Sequence, residues 1–385
     1  MTEPLPAAAD DALGARTIHK VRLRLIPYIF LCYAIAYLDR VNVGFAALEM
    51  NQDVGLSDAA YALGAGLFFW GYALLEVPSN LILARVGARV WIARIMIGWG
   101  GVSSAMMFIQ GPWSFAAFRL ALGVAEAGFF PGMILYLTYW FPAVERAKAV
   151  AFFMTATALT GVIGGPLSGL LMELDGALGL RGWQWLFLLE GIPAVVLGVT
   201  TLFYLTDRPE QATWLQKDER EWLVARLASE KGVETHAHSF GAALRSPILW
   251  LFCAIYFCNN VGFYGLTFWL PKIVQNFSGL GTLGTTMLTA LPYACAVVVM
   301  VSVAMHSDLR RERRKHVAAV SATGAVGLLL ASQAGTPLGG LLALCITACG
   351  IWSVMGPFWA LVTATLSKTA AAGGIAFINS IGNLG

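Results

Sequence analysis

Long apolar runs recur from one end of this chain to the other, and two of them carry opposite charges at the depth where a bilayer tolerates charge least. The stretch from Arg119 to Arg146, RLALGVAEAGFFPGMILYLTYWFPAVER, holds one arginine and one glutamate within an apolar run of spanning length. Arg119 and Glu126 lie seven apart, so on a helix of about 3.6 residues per turn they project from one face. Gly123 stands between them and is expected to leave that face open. A charge at the bilayer centre costs roughly 2.5–3.5 kcal/mol on insertion scales, so two on one face imply a wet interior.

The chain as a whole supports a membrane setting. Of 385 residues 58% are hydrophobic and 12% charged, about half the charge of a soluble domain, and the expected class is an all-α, polytopic integral membrane protein. A net charge of +3, with no basic strip interleaved with aromatics, argues against nucleic acid as a partner. Cys32, Cys253, Cys258, Cys295, Cys345 and Cys349 all sit in apolar runs and read as small hydrophobes. Cys345 and Cys349 share a helix face without a histidine or carboxylate, and His236 and His238 fall in a hydrophilic loop, so no metal site is expected.

Apolar segments occur near 25–47, 59–83, 90–109, 113–140, 148–172, 184–206, 248–271, 283–305, 316–334, 338–366 and 371 to the end. That gives eleven spans, the last cut short. The basic residues alternate with these spans. Arg181 and Lys272 alone fall in one set of loops and Arg40 and Arg119 within the bilayer, while the rest of the 25 gather in the other set. These include Arg245 and Lys368. The positive-inside rule then places the N-terminus in the cytoplasm. The organisation expected is a cytoplasmic tail over 1–24, a six-helix bundle over 25–206, a cytoplasmic linker over 207–246 and a second, incomplete bundle over 247–385. Within the linker, KDEREWLVARLASEK pairs opposite charges at helical spacing, carries Trp222, Leu223 and Leu227 as an apolar strip, and reads as a cytoplasmic surface helix lying against the membrane face or as a solvated linker helix that only joins the two halves.

Residues with chemistry cluster at mid-depth. YLDRVNVGFA places Asp39 and Arg40 about 14 residues into the first span, or ~21 Å deep at ~1.5 Å per residue. Glu126 sits at a similar depth in the fourth. Burial favours a neutral carboxyl and a neighbouring arginine favours a charged one, so an anion competing for Arg40 or Arg119 would couple its own binding to protonation of Asp39 or Glu126. Buried ion pairs that only fix helix packing are the plainer alternative. Glu76 and Glu190, each close before a proline, are expected to bond freed backbone groups or loop arginines. GVIGGPLSG sets Gly161, Gly165 and Gly169 four apart as a ridge for close helix contact.

The loops NLILARVGARVW and AMHSDLRRERRKH occupy equivalent places in the two halves and resemble the loop signature of the major facilitator superfamily. The first keeps Arg85, Gly87 and Arg89, with Asn80 in place of the leading glycine and Ala84 in place of the acid. The second keeps Asp308, with Ala304 in place of the glycine. Loss of the acid is expected to weaken the first loop's latch. DRVN in span one, RLALGVAEAGFFPG followed by YLTYWFP and an ER pair in span four, and the EGIPAV run from Glu190 together resemble the anion:cation symporter family of that superfamily. Its bacterial members import sugar acids, tartrate, phthalate and related carboxylates with protons.

The resemblance implies a major facilitator fold of two six-helix bundles in the bacterial inner membrane. It implies proton sites at Asp39 and Glu126, anion contacts at Arg40 and Arg119, and cavity-lining positions at Tyr72, Trp359 and Asn379. Where sugar-acid members offer a glutamine from span five, MTATALTG offers Thr155, Thr157 and Thr160. With Phe263, Tyr264 and Trp269 on span seven, this favours a less hydroxylated or aromatic carboxylate. The expected protein is a monomer and not an enzyme, with no cofactor and the proton gradient as its energy source; no GxxxxGK loop is present. An anion exchanger or facilitator without proton coupling, and a non-transporting anion sensor, are the alternatives.

Overall fold

The computed structural model describes residues 7–231, 246–365 and 371–384. His236, His238, Arg245 and Lys368, with most of the second half of the expected linker, lie outside the described residues. No strand occurs among the described residues. Among the described residues ten helical stretches are long and apolar enough to cross a bilayer: Asp10–Asp53, Asp58–Val86, Ala88–Phe108, Pro112–Trp140, Phe152–Met172, Gly182–Tyr204, Pro247–Ser278, Thr282–Arg310, Arg314–Ser332 and Pro337–Thr365. The eleventh expected span is represented by a helix of 12 residues, shorter than a crossing needs.

The helices are α1 (Ala7–Asp53), α2 (Asp58–Val86), α3 (Ala88–Ala105), α4 (Pro112–Glu126), α5 (Phe129–Trp140), α6 (Ala143–Met172), α7 (Gly182–Tyr204), α8 (Lys217–Lys231), α9 (Pro247–Ser278), α10 (Thr282–Arg310), α11 (Arg314–Ser332), α12 (Pro337–Ser353), α13 (Met355–Thr365) and α14 (Ala371–Gly382). In the first half α3 packs on α7, α2 on α4 and α1 on α6. In the second, α12 packs on α11 and α10, and α9 on α14. The halves meet where α6 lies on α10 and α1 on α9.

The glycine ridge of span five makes this junction. A Cβ on Gly161 would overlap the Tyr293 ring, and one on Gly165 or Gly169 would overlap Thr286, so only bare backbone lets α6 and α10 approach this closely. Pro166 sits within α6 without ending it.

One end of the molecule carries the loops rich in lysine and arginine, and a group of polar contacts between the halves lies at the other, far end. There Lys272 pairs with Asp58, Thr282 Oγ1 donates to Glu49 Oε1 at 2.6 Å, and Tyr61 donates its hydroxyl to the Phe268 carbonyl at 3.3 Å.

At the basic end, residues 7–24 form the first turns of α1, and α8 docks on them. Arg16 reaches Asp218 at 3.0 Å and Glu219 at 3.2 Å, Lys20 reaches Glu219 at 2.9 Å, and Leu223 is buried beneath. The segment forms a helix, as both of its readings expect, and it is seated on α1. Burial pushes the Glu219 carboxyl up, but the Lys20 ammonium, the Gln216 N–H and the Arg16 charge together outweigh it and hold the group below its usual range. A depressed carboxyl contributes stability above its unfolded pKa and loses it as pH falls through the folded one. The α8 dock is therefore expected to hold at neutral pH and to release below about pH 4, read as protease cleavage within 217–231 appearing only in acid; Glu219→Gln should show that cleavage already at pH 7.

Candidate functional site

Span four is not one helix. It breaks directly after Glu126, where Gly128 takes a left-handed φ of 86° before α5 begins. Gly128 and Pro131 are the local residues that permit this break, in a stretch expected as a single span. The corresponding span of the second half, α12 and α13, is also interrupted, at Val354, just ahead of Gly356 and Pro357. Interrupted helices in matching places in the two halves mark where membrane transport folds put their sites.

Glu126, last residue of α4, meets Arg40 of α1 in an ion pair, with 14% and 3% of the Arg40 and Glu126 side chains exposed. Both the carboxylate and the carbonyl end of α4 present negative potential to the guanidinium. That guanidinium also lies over the Phe68 and Tyr72 rings, at 5.3 and 5.4 Å. Tyr264 of α9 stands beside it, packed on Phe69 with ring centroids 4.5 Å apart.

Asp39 does not join this pair, contrary to its expected partnership with Arg40. Consecutive helical residues point about 100° apart, and Asp39 turns into the first half, where Trp99 Nε1 and Ser103 Oγ each donate to it at 2.8 Å and Asn42 Nδ2 at 3.4 Å. It is 1% exposed and holds only neutral donors. Trp99 and Ser103 carried no signal in the sequence; both look like packing residues there.

Arg119 is fully buried between the Phe68 and Phe268 rings, 5.0 and 5.8 Å away. Its Nη2 donates to the Ala65 carbonyl at 3.4 Å, while Nε and Nη1 have no partner among the described residues. Gly123 does not open space between Arg119 and Glu126 as expected: the Phe68 carbonyl of α2 fills the place of its missing Cβ, so the glycine serves a close α2–α4 crossing. What separates the two charges from solvent is therefore backbone and aromatic rings.

The other expected lining residues fall in two places. Tyr72 is buried beside Arg40 in the first half. Trp359 packs against Tyr256 at 5.0 Å in the second, and Asn379 lies on α14, whose Gly382 closes on Tyr256. Tyr256 was not singled out in the sequence. Thr155, Thr157 and Thr160 each donate their hydroxyls to carbonyls of their own helix, so as donors they are already used. Glu190 bonds neither backbone nor arginine, contrary to expectation; Ser168 Oγ donates to its Oε1 at 3.0 Å.

At the basic end, the acid missing from the first loop is supplied by another part of the chain. Asp207 accepts the Arg89 backbone N–H at 2.8 Å and lies 3.9 Å from its guanidinium, against Gly87, whose φ is 103°. The latch expected to be weak is thus rebuilt from the end of α7. Arg85 is exposed beside it. In the second loop Asp308 pairs with Arg313 at 2.6 Å.

A profile of the Major Facilitator Superfamily matches residues 29–385. The chain belongs to that superfamily. Its members are transporters and not enzymes, and this one is a multi-pass membrane protein. A protein of Agrobacterium vitis named "Putative tartrate transporter" is 52% identical to this superfamily member over 377 residues, covering 98% of this chain and 87% of the relative. One of Pseudomonas putida named "Putative metabolite transport protein NicT" is 42% identical over 380 residues, covering 98% and 87%. Among solved structures, a bacterial homolog of the human lysosomal transporter Spinster, in an inward-facing and occupied conformation, aligns with a TM-score of 0.77 at 19% identity. That alignment covers 94% of this chain and 79% of that one, a likeness of fold.

Removing one partner of a buried pair strands the other charge. Arg40→Ala is expected to destabilise the superfamily fold by about 3 kcal/mol, and the double variant with Glu126→Ala to recover most of that; denaturant unfolding in mixed micelles measures both.

Proposed function

We propose that this chain is a secondary active transporter that imports a small organic carboxylate, of the tartrate type, together with protons by alternating access in a bacterial inner membrane. The observation that carries the reading is Arg119: a fully buried guanidinium with two unpaired nitrogens is a ready partner for a carboxylate. The names of the Agrobacterium and Pseudomonas relatives, covered almost end to end, support an organic acid as cargo.

In this reading the basic end is cytoplasmic and the far end extracellular. The cross-half contacts of Asp58, Glu49 and Tyr61 then seal the outer side, which fits an inward-facing state. The domain division is that of the sequence, with the 25–206 and 247–385 bundles rocking about the α6–α10 and α1–α9 junctions and 207–246 joining them. Arg85, Gly87, Arg89 and Asp308 steady the cytoplasmic loops during that movement.

Protonation of Glu126 releases Arg40, whose guanidinium then pairs with a substrate carboxylate while Arg119 takes a second oxygen. Tyr72 lines the cavity from the first half, Trp359 and Asn379 from the second. After release to the cytoplasm Glu126 gives up its proton and closes again on Arg40, the pairing found in this structure. Asp39, held by neutral donors alone, carries the other proton. The working unit is a monomer without cofactor.

Uptake of a carboxylate panel headed by tartrate into proteoliposomes under an inward proton gradient tests this. Uphill accumulation should occur with the parent chain and be lost, by at least tenfold, in Asp39→Asn and Glu126→Gln. Gradient-independent exchange persisting in both variants at parent rates would replace symport with anion exchange, and binding without any flux would favour the sensor.

A further inference from the structure

Of the buried acids of the first half, Glu126 and Glu76 feel Arg40, whereas Asp39 and Glu190 face no base among the described residues. Glu190 of α7 is 4% exposed; its Oε1 takes the Ser168 hydroxyl, and its Oε2 has no hydrogen-bond partner among the described residues. Asn42 lies one turn beyond Asp39 on α1, donates Nδ2 to Asp39 Oδ1 at 3.4 Å, and stands beside Glu190 with its own Oδ1 unpaired. The order Asp39, Asn42, Glu190, Ser168 therefore joins α1, α7 and α6 through neutral groups.

The charges on the packed elements lie elsewhere or are engaged. Arg40 is taken by Glu126 of α4, and Arg119 of the same helix lies between Phe68 and Phe268. On α3, Arg89 is held at Asp207 and Arg94 lies over Trp91, both in the first turns. Glu145, Arg146 and Lys148 belong to the first turns of α6, and α7 has no charged residue besides Glu190. On α1 the remaining charges, from Asp10 to Arg24 and at Glu49 and Asp53, are near its two ends.

Two ionised carboxylates bridged by one amide, with no cation to compensate them, oppose each other in a dry interior, and a single proton removes the conflict. A proton on Glu190 Oε2 also converts a buried, unpaired acceptor into a donor. We propose that Glu190 is a third proton-binding carboxyl of the transport cycle, forming with Asp39 and Asn42 one unit that holds one proton when charged and two when neutral. Loading adds one proton from solution to whichever carboxylate is ionised, making one O–H bond; unloading breaks one.

Ser168 lies about one turn from the far end of α6, and Asn42 leads from Asp39 in the same direction. Glu190 thus stands on the side from which protons enter under the proton-coupled reading of Asp39, on which this inference rests.

Infrared difference titration of the substrate-free protein in proteoliposomes tests it without relying on transport. The expected result is a protonated-carboxyl C=O band at neutral pH that titrates on going alkaline, is lost in Glu190→Gln and returns in Glu190→Asp. In Asp39→Asn, which removes the like-charged neighbour, the remaining band should titrate about one pH unit lower. A spectrum unchanged by Glu190→Gln, or a Glu190 band that does not titrate, overturns the proposal. Should Glu190→Gln fail to fold, Ser168→Ala serves instead: loss of the hydroxyl favours the protonated form, so the band should persist to higher pH, and an unmoved band overturns the proposal equally. Uptake by Asp39→Asn stays a separate readout. Accumulation surviving there removes the symport reading itself, whereas an absent Glu190 band with Asp39→Asn inactive removes only the third carboxyl.

Discussion

The pair between Arg40 and Glu126 is the contact on which the centre of this molecule depends. Either charge alone in a low-dielectric interior would be prohibitive, and together they join α1 to the break in span four. Only a helix that ends at Glu126 can offer its carboxylate and its terminal carbonyls to the same guanidinium. The left-handed Gly128 makes that ending possible, and the aromatic rings of Phe68 and Tyr72 cover the pair on the remaining side. A charge pair so enclosed is held by the cation as much as by the acid, which is why competition for Arg40 is a credible way to link anion and proton.

Close backbone approach is the second constraint. Gly123 brings α4 against α2, and Gly161, Gly165 and Gly169 bring α6 against α10. In a bilayer there is little hydrophobic gain from helix contact, so dispersion between backbones takes its place. Gly123 meets the backbone of Phe68, whose ring lies 5.0 Å from the Arg119 guanidinium. Polar contacts, by contrast, are concentrated at the far end between the halves and within the loops at the basic end, where charged groups are least costly.

Much of the fold was legible because bilayer physics writes directly into composition. Apolar runs of spanning length, with basic residues confined to alternate loops, gave ten of the expected spans, and the α8 helix followed from its charge pairing and from Trp222, Leu223 and Leu227, although its seat on α1 did not. The charged residues at mid-depth were equally visible, because an arginine or acid in such a run is conspicuous. Their partners were not. Asp39 stands next to Arg40 in the chain but turns instead to Trp99 and Ser103. Asp207 rebuilds a latch whose acid the local motif lacks.

The sequence by itself determined the class of protein, the spans up to the tenth, the identities of the buried charges and the family signature, because each of these is a property of residues near one another in the chain. Which charge meets which was decided by the tertiary structure. It gave Glu126 rather than Asp39 to Arg40, left Arg119 with unpaired nitrogens, and set Glu190 beside Asn42. The reason is geometric: successive side chains on a helix diverge by about 100°, so partners come from other helices, whose rotation and depth are fixed only when all of them pack.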